Sequence, residues 1–471
     1  HRRRDLMTLV AGVDSSTQSV KIVVCDLETG SIVRSGRASH PSGTEVPASA
    51  WLSAYQEATA DPSLLDGVSA LAVGGQQHGM VTLDENGELV RDALLWNDNR
   101  SASDAEDLIA ELGGPTVWAD AVGSVPVASM TVSKIRWLAR AEPDNAERTA
   151  AVVLPHDWLS WQIGDRSFAP TTDRGDASGT CYFDATANRY RNDLVRLALG
   201  HDLELPRVAA PNEVIGHTAD GIAIAPGTGD NMAGGLGLDV TAGNAIVSLG
   251  TSGTAFTKSH QQTHEPTGTV AGFADATGEF LPLVCTLNGA RNLVATAEVL
   301  GVTLAELSQL ALSAQPGSQG VTFVPYLEGE RTPPLPDARG QLIGLTLANL
   351  TPANIARATI EGVLWSLAYG VEVLQEQTGE ISSITLTGGA SQSEAVRKIA
   401  TAVFGLPIVV TDTFESVAVG SARQAAWATT GTLPNWPVPV ISKHEPTEAD
   451  QRAAREIMER YRSVLTAHFG V

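Results

Sequence analysis

Residues 10–26 read VAGVDSSTQSVKIVVCD, and the fold turns on how Asp14 is understood. An apolar run ends at Asp14, and hydroxyl residues follow at Ser15, Ser16, Thr17 and Ser19 before a second Val/Ile-rich run. A turn of this kind between two strands suits an anion, because its backbone N–H groups and hydroxyls converge on one point. A carboxylate inside a phosphate cradle would repel its guest. Read alone, Asp14 is either a misplaced charge or a catalytic base.

Working outward, residues 27–30 (LETG) form a turn and residues 31–38 a third strand, so the start of the chain predicts an antiparallel meander. A helix near 48–59, a buried strand at 68–74 and a helix at 102–112 follow. Residues 129–141 place Ile135 and Leu138 on one helical face, with Trp137 beside them. A second start appears at 244–259 (NAIVSLGTSGTAFTKS), with a Gly/Ser/Thr turn between two apolar runs, and residues 274–283 resemble another third strand, entered through a turn like that at 27–30. Hairpins of this composition are common, so spacing alone leaves an internal duplication open. The short strand 384–386 enters the turn TGGAS and then a helix over about 393–404, where a nucleotide can lie against backbone. The chain ends in an amphipathic helix over 447–469, with Ile457, Tyr461, Val464 and His468 along one face.

The chain has 471 residues, too many for one hydrophobic core, and the natural boundary lies near 239–243. Its 31 basic and 53 acidic residues give a net charge of −22, which argues against nucleic acid or an anionic membrane surface as partner. No apolar run reaches the ~20 residues of a membrane helix. Three cysteines, far apart and without a CxxC pair, fit a reducing cytoplasm and offer no metal cluster. The opening HRRRDLM lacks an apolar stretch behind its charges, so it does not read as a signal peptide, and Met7 is expected to open the folded part.

Familiar nucleotide motifs are absent. The Asp14 turn lacks the glycine spacing and lysine of a P-loop, and the 227–232 segment lacks the third glycine of a dinucleotide fingerprint. His260 and His264 have helical i, i+4 spacing without the glutamate of HExxH, and read as solvated polar residues. Asp230, in a Gly-rich loop beside Asn231, is either a helix-capping turn residue or a carboxylate brought close to a ligand. Gln77 and His78 lie at a strand end, where α/β proteins place ligands, and a polyol needs such donors and acceptors. Trp96, Asn97, Asp98 and Arg100 form another polar cluster, readable as a sugar platform or as packing with a salt bridge.

Taken together, GVDSSTQS (12–19), GGQQHGM (74–80), LLWNDNR (94–100), GTGDNMAGGLG (227–237) and SLGTSGT (248–254) resemble the FGGY family of carbohydrate kinases. YLEGERTP (326–333) and TGGAS (387–391) extend the likeness, and residues 340–361 fit the second family signature throughout. The segment with Lys134 and Trp137 looks like the first signature, although Ala141 departs from its usual polar ending. The resemblance runs from Met7 onward. Within the family, QQHGM followed by LLWNDNR is similar to the branch acting on D-xylulose and lacks the Arg-Glu pair of the glycerol branch.

That resemblance implies an α/β fold of two ribonuclease-H-like (actin/hexokinase-like) domains around a central cleft. Residues 1–240 would hold the sugar and the base, and residues 241–471 would bind ATP. Asp230 would be the general base, with Gln77, His78, Trp96, Asp98 and Asn231 on the sugar. Asp14 would serve Mg²⁺ and the ATP phosphates, which resolves the repulsion, with Thr17 and Thr251 as phosphate donors. Gly388, Gly389 and Ala390 would line the adenosine. The partners implied are D-xylulose and ATP; a homodimer is compatible with the sequence, which leaves oligomeric state open. Rival readings are a kinase of another ketose or polyol, a sugar-binding sensor without catalysis, and an actin-like ATPase, which has no need of QQHGM or WNDNR.

Overall fold

The computed structural model describes residues 8–412 and 415–471. The opening segment, set apart from the fold on sequence grounds, lies outside the described residues. The chain forms two compact units: one from residues up to Asp239 with His260–Leu281 and Glu415–Val438, the other from Val240–Ser259, Pro282–Phe414 and Pro439–Val471.

In the first unit, Leu9–Ser15 and Ser19–Asp26 pair antiparallel, and Ile32–Ser39 continues the meander. Val68–Gly75 lies parallel on the other side of Leu9–Ser15. Both strands of the parallel pair are almost wholly buried, which is why they read as continuous apolar runs rather than alternating ones. The register sets Asp14 opposite Lys21 on one side and Gly74 on the other. Thr228–Gly229 also pairs with the Gly74–Gly75 end, so the Asp230 loop starts beside the strand end that leads to Gln77.

A helix from far along the chain completes this unit. Ser416–Thr430 packs on the strands Leu9–Ser15 and Val68–Gly75 and on the helix Asp230–Gly237. Its small residues permit backbone-to-backbone approach: a Cβ on Gly12 would fall 1.7 Å from the Ala418 carbonyl oxygen, and one on Gly420 1.8 Å from that of Ala233.

The second unit repeats the layout. Asn244–Leu249 and Gly253–Thr257 form a hairpin, Phe280–Thr286 pairs antiparallel with the latter, and Ser383–Thr387 lies parallel to Asn244–Leu249. The long helix Pro352–Thr378 and the helix Glu394–Phe404 pack together here, each with a hydroxyl N-cap, Thr351 and Ser393.

The third-strand segment is entered through a turn, as expected: Asp275 closes it by accepting the N–H groups of Thr277 and Glu279, and the strand opens at Phe280. One expectation is revised. In the final helix, Glu448–Phe469, the buried stripe is Ala454, Ile457, Tyr461 and Leu465, with His468 exposed. Leu465 takes the place of Val464 on that stripe, and the helix packs against Glu394–Phe404. Among the described residues no single helix is long and apolar enough to cross a membrane.

Candidate active site

Asp14 ends its strand almost fully buried, and its Oδ1 has no hydrogen-bond partner. Burial pushes its carboxyl up to about 7; Lys21 opposes that shift and Glu415 adds to it. Lys21 itself is ion-paired to Glu415 at 2.8 Å. The turn beyond Asp14 is tight: Ser16 N–H and hydroxyl both donate to the Ser19 carbonyl, and the His40 ring hydrogen-bonds the Ser16 carbonyl. A buried, orphaned carboxylate oxygen costs free energy unless something cationic or protic answers it. Its donor chemistry, a hard oxygen at the mouth of a hydroxyl turn, fits a divalent cation.

Asp230 opens the helix Asp230–Gly237 and is partly exposed. Its Oδ1 accepts the Asn231 N–H at 2.8 Å, and the Asn231 side-chain amide donates to Gln77 Oε1 at 2.7 Å. The base candidate, Asn231 and Gln77 therefore form one polar chain linking the helix start to the strand end. Burial raises the Asp230 carboxyl to about 7, with smaller pushes from the Asp14 and Asp176 carboxylates. A carboxylate poised near neutrality is suited to accept a proton. Gln77 Nε2 is buried without a partner, a donor available to a ligand.

His78 takes a left-handed backbone conformation (φ 69°), which turns its ring so that Nδ1 meets the Gly179 carbonyl at 2.7 Å and the ring faces Phe273. Trp96 is 42% exposed, and its indole N–H donates to the Thr17 hydroxyl at 2.8 Å. Asp98 is buried with both oxygens engaged, one by Thr44 and one by Arg100 through backbone and side chain. Beneath it the fully buried Lys134 donates to the carbonyls of Asp98 and Ala128, and burial lowers its pKa to about 8. The first-signature lysine thus fastens the WNDNR turn from inside.

In the second unit, Thr251 is exposed at the hairpin tip, whose carbonyls at Gly250 and Thr251 accept N–H groups of Ala290 and Gly289. Gly388 has φ 92°, and a Cβ there would lie 2.6 Å from the Leu249 carbonyl oxygen, so the TGGAS turn abuts the end of that hairpin strand. A Cβ on Gly389 would meet open space. Gly389 and Ala390 start a short 3₁₀ turn whose Ser391 hydroxyl donates back to the Gly388 carbonyl.

Of the predicted residues, the structure brings Asp14, Thr17, Gln77, His78, Trp96, Asp98, Asn231 and Asp230 into the first unit, and Thr251 with Gly388–Ala390 into the second. His260 and His264, read as solvated, are both exposed; His260 faces Glu279 at 3.2 Å, and the His264 ring also bonds the Ala119 carbonyl. Sequence reasoning passed over Gln76, fully buried with both amide atoms unpartnered, although it stands in the same QQH run. It also passed over His156, Asp157, Asp173 and Asp176, a buried charged cluster whose signal was the density of acidic residues in LPHDWL and TTDRGDASGT.

Residues 9–243 match the N-terminal domain, and residues 245–429 the C-terminal domain, of the FGGY family of carbohydrate kinases. The chain belongs to that family, and with it to the ATP-dependent sugar kinases of two-domain actin/hexokinase-like fold. It is 40% identical to a xylulose kinase of Streptomyces rubiginosus, over 97% of this chain and 96% of the relative. To a xylulose kinase of Streptomyces coelicolor it is 42% identical, over 90% and 88%. The crystal structure of xylulose kinase from Bifidobacterium adolescentis superposes with a TM-score of 0.89 at 44% identity, covering 96% of this chain and 99% of that one.

Proposed function

We propose that this kinase transfers the γ-phosphoryl group of ATP to the terminal hydroxyl of D-xylulose, giving D-xylulose 5-phosphate and ADP. The observation that carries the reading is the polar chain Gln77–Asn231–Asp230, which ends on a carboxyl held near neutrality. The xylulose kinases among the relatives supply the choice of sugar.

Gln77, His78 and Asn231 hold the ketose through its hydroxyls, with Trp96 covering an apolar face and Asp98 ordering the WNDNR turn. Asp230 accepts the proton of the 5-hydroxyl as its oxygen bonds to the γ-phosphorus. The bond to the β-bridging oxygen breaks, and its electron pair leaves with ADP. Thr17 and Thr251 donate to phosphate oxygens, and Gly388, Gly389 and Ala390 let adenosine lie against backbone. Asp14 would hold Mg²⁺, directly or through water. The ion supplies charge neutralisation on the triphosphate. We place the enzyme in the cytoplasm, where ATP is supplied and where buried thiols such as Cys25 and Cys181 stay reduced.

The test is a panel of ketoses and polyols in a coupled ADP-release assay, run on the wild type and Asp230→Asn. D-xylulose should give the highest kcat/KM, and Asp230→Asn should lose about 10²–10⁴-fold in kcat. Preference for another sugar reassigns the substrate, and no sugar-stimulated ADP release returns the reading to a sensor.

A further inference from the structure

His156 sits in the first turn of the helix Pro155–Ile163, fully buried. Its Nδ1 lies 2.6 Å from Asp176 Oδ2 and its Nε2 3.2 Å from Asp157 Oδ1. Nδ1 is hydrogen-bonded to Asp176, whereas Nε2 lies near Asp157 without hydrogen-bond geometry, so the charged ring is favoured by two neighbouring carboxylates and by one hydrogen bond. Burial opposes that charge, but the carboxylates outweigh it and raise the ring to about 9. These three residues also have the composition of a metal site. However, 2.6 Å is too short for an ion seated ~2.0 Å from both a nitrogen and an oxygen at a tetrahedral angle.

The carboxylates are themselves fixed. Asp157 Oδ2 accepts the Leu154 N–H at 2.7 Å. Asp173 accepts the N–H groups of Gly175 and Asp176, which holds the backbone that presents Asp176. Two glycines also pack against His156, Gly75 on its backbone and Cβ and Gly227 on its ring. A Cβ on Gly75 would lie 2.8 Å from His156 Cβ, and one on Gly227 would lie 2.8 Å from His156 Cδ2 and 2.3 Å from the Val73 carbonyl oxygen. Gly75 leads into Gln76 and Gln77, and Gly227 leads into Asp230. The packing continues outward, since a Cβ on Gly229 would fall 2.7 Å from Gln77 Cγ.

We propose that His156, clamped between Asp157 and Asp176, is a positioning residue that seats the Gly75 and Gly227 backbones and so sets the distance between Gln77 and Asp230. It rests on the reading of Asp230 as the base. Gly227 is needed because the Val73 carbonyl and the His156 ring occupy the space its side chain would take, and Gly75 because the His156 backbone and Cβ do. The clamp is needed because a neutral or tilted ring would leave buried carboxylates unanswered and free the loop to shift. Displacement of a catalytic group by an ångström costs about 100-fold in rate.

The test compares His156→Asn and Asp176→Asn with Asp230→Asn in the full chain, scored per folded molecule by circular dichroism and thermal melting. The clamp variants should lose about 10- to 100-fold in kcat, with the KM for ATP within about twofold and ADP affinity unchanged. The double variant His156→Asn/Asp176→Asn should be no slower than the worse single one, because the two act as a unit. If Asp230→Asn loses about 10²–10⁴-fold in kcat while both clamp variants keep wild-type kcat, the positioning role is overturned and the base reading stands. If Asp230→Asn keeps near wild-type kcat, the base reading itself fails. A clamp loss that appears only as a lower melting temperature, with kcat per folded molecule intact, makes the cluster structural and also overturns the proposal. Asp176→Asn keeps the ring, so it decides the matter should His156→Asn fail to fold.

Discussion

The indole N–H of Trp96 donates to the hydroxyl of Thr17 across 2.8 Å, joining the WNDNR turn to the tip of the first hairpin. The two residues were assigned to different ligands, Trp96 to sugar and Thr17 to phosphate, yet they hold one another. Trp96→Phe keeps the aromatic face and removes the donor. It should raise the KM for both substrates about two- to tenfold, the value of one hydrogen bond. Steady-state kinetics on Trp96→Phe, Thr17→Ala and the double variant should show effects that do not add. Additive effects confined to one substrate each would separate the two roles.

Asp230→Asn removes the proposed proton acceptor while preserving shape and the hydrogen bond to Asn231. General-base catalysis contributes roughly 10²–10⁴-fold, so kcat should fall by that much. D-xylulose binding, read by calorimetry, should stay within about threefold.

The acid limb of kcat/KM for sugar should follow the Asp230 carboxyl, raised to about 7 chiefly by burial. The base works ionised, so the rate should fall about tenfold for each pH unit below the limb. A flat profile between pH 5 and 8 would remove Asp230 from the role.

Asp14 has the opposite sense in stability. Its carboxyl is raised to about 7 in the folded chain, against about 4 when unfolded. Between those values the native state keeps a proton that the unfolded state has released, so stability falls as pH rises through that window. Asp14→Asn should therefore raise the melting temperature of the ligand-free protein at pH 8, by a few degrees, and change it little at pH 4. It should abolish turnover at both.

Gly420→Val tests the seam between Ser416–Thr430 and Asp230–Gly237. The Cβ would fall 1.8 Å from the Ala233 carbonyl oxygen, a clash with backbone that only helix separation relieves. Overpacking of this kind costs about 1–3 kcal/mol or more, readable as a lower urea midpoint. Asp230 begins the displaced helix, so kcat should drop with it.

The two meanders were legible because their signals are local: apolar runs with hydroxyl turns between them, within Leu9–Ser39 and within Asn244–Thr286. Gln77, His78 and Asp230 were legible for the same reason, as polar residues set in apolar or Gly-rich contexts. The Ser416–Thr430 helix was not, since its Ala and Gly residues have meaning only beside Gly12 and Gly237, far away in sequence. The His156 clamp was missed because its members belong to separate caps, Asp157 to one helix and Asp173 to another, and only folding joins them. Asp98 shows the reverse case: the alternative of a turn closed by Arg100 is realised in the geometry, with both oxygens spent on neighbours.

The first compact unit closes with residues Glu415–Val438, which leave the ribosome after the whole of Val240–Phe414 has been made. At about 5–20 residues per second, the early strands wait many seconds for the helix that covers Gly12 and Gly74. Nascent chains of this protein thus expose the face behind Asp14 during most of their synthesis. The buried Asp14 waits with that face, and a stalled or truncated chain would present it unfinished to chaperones.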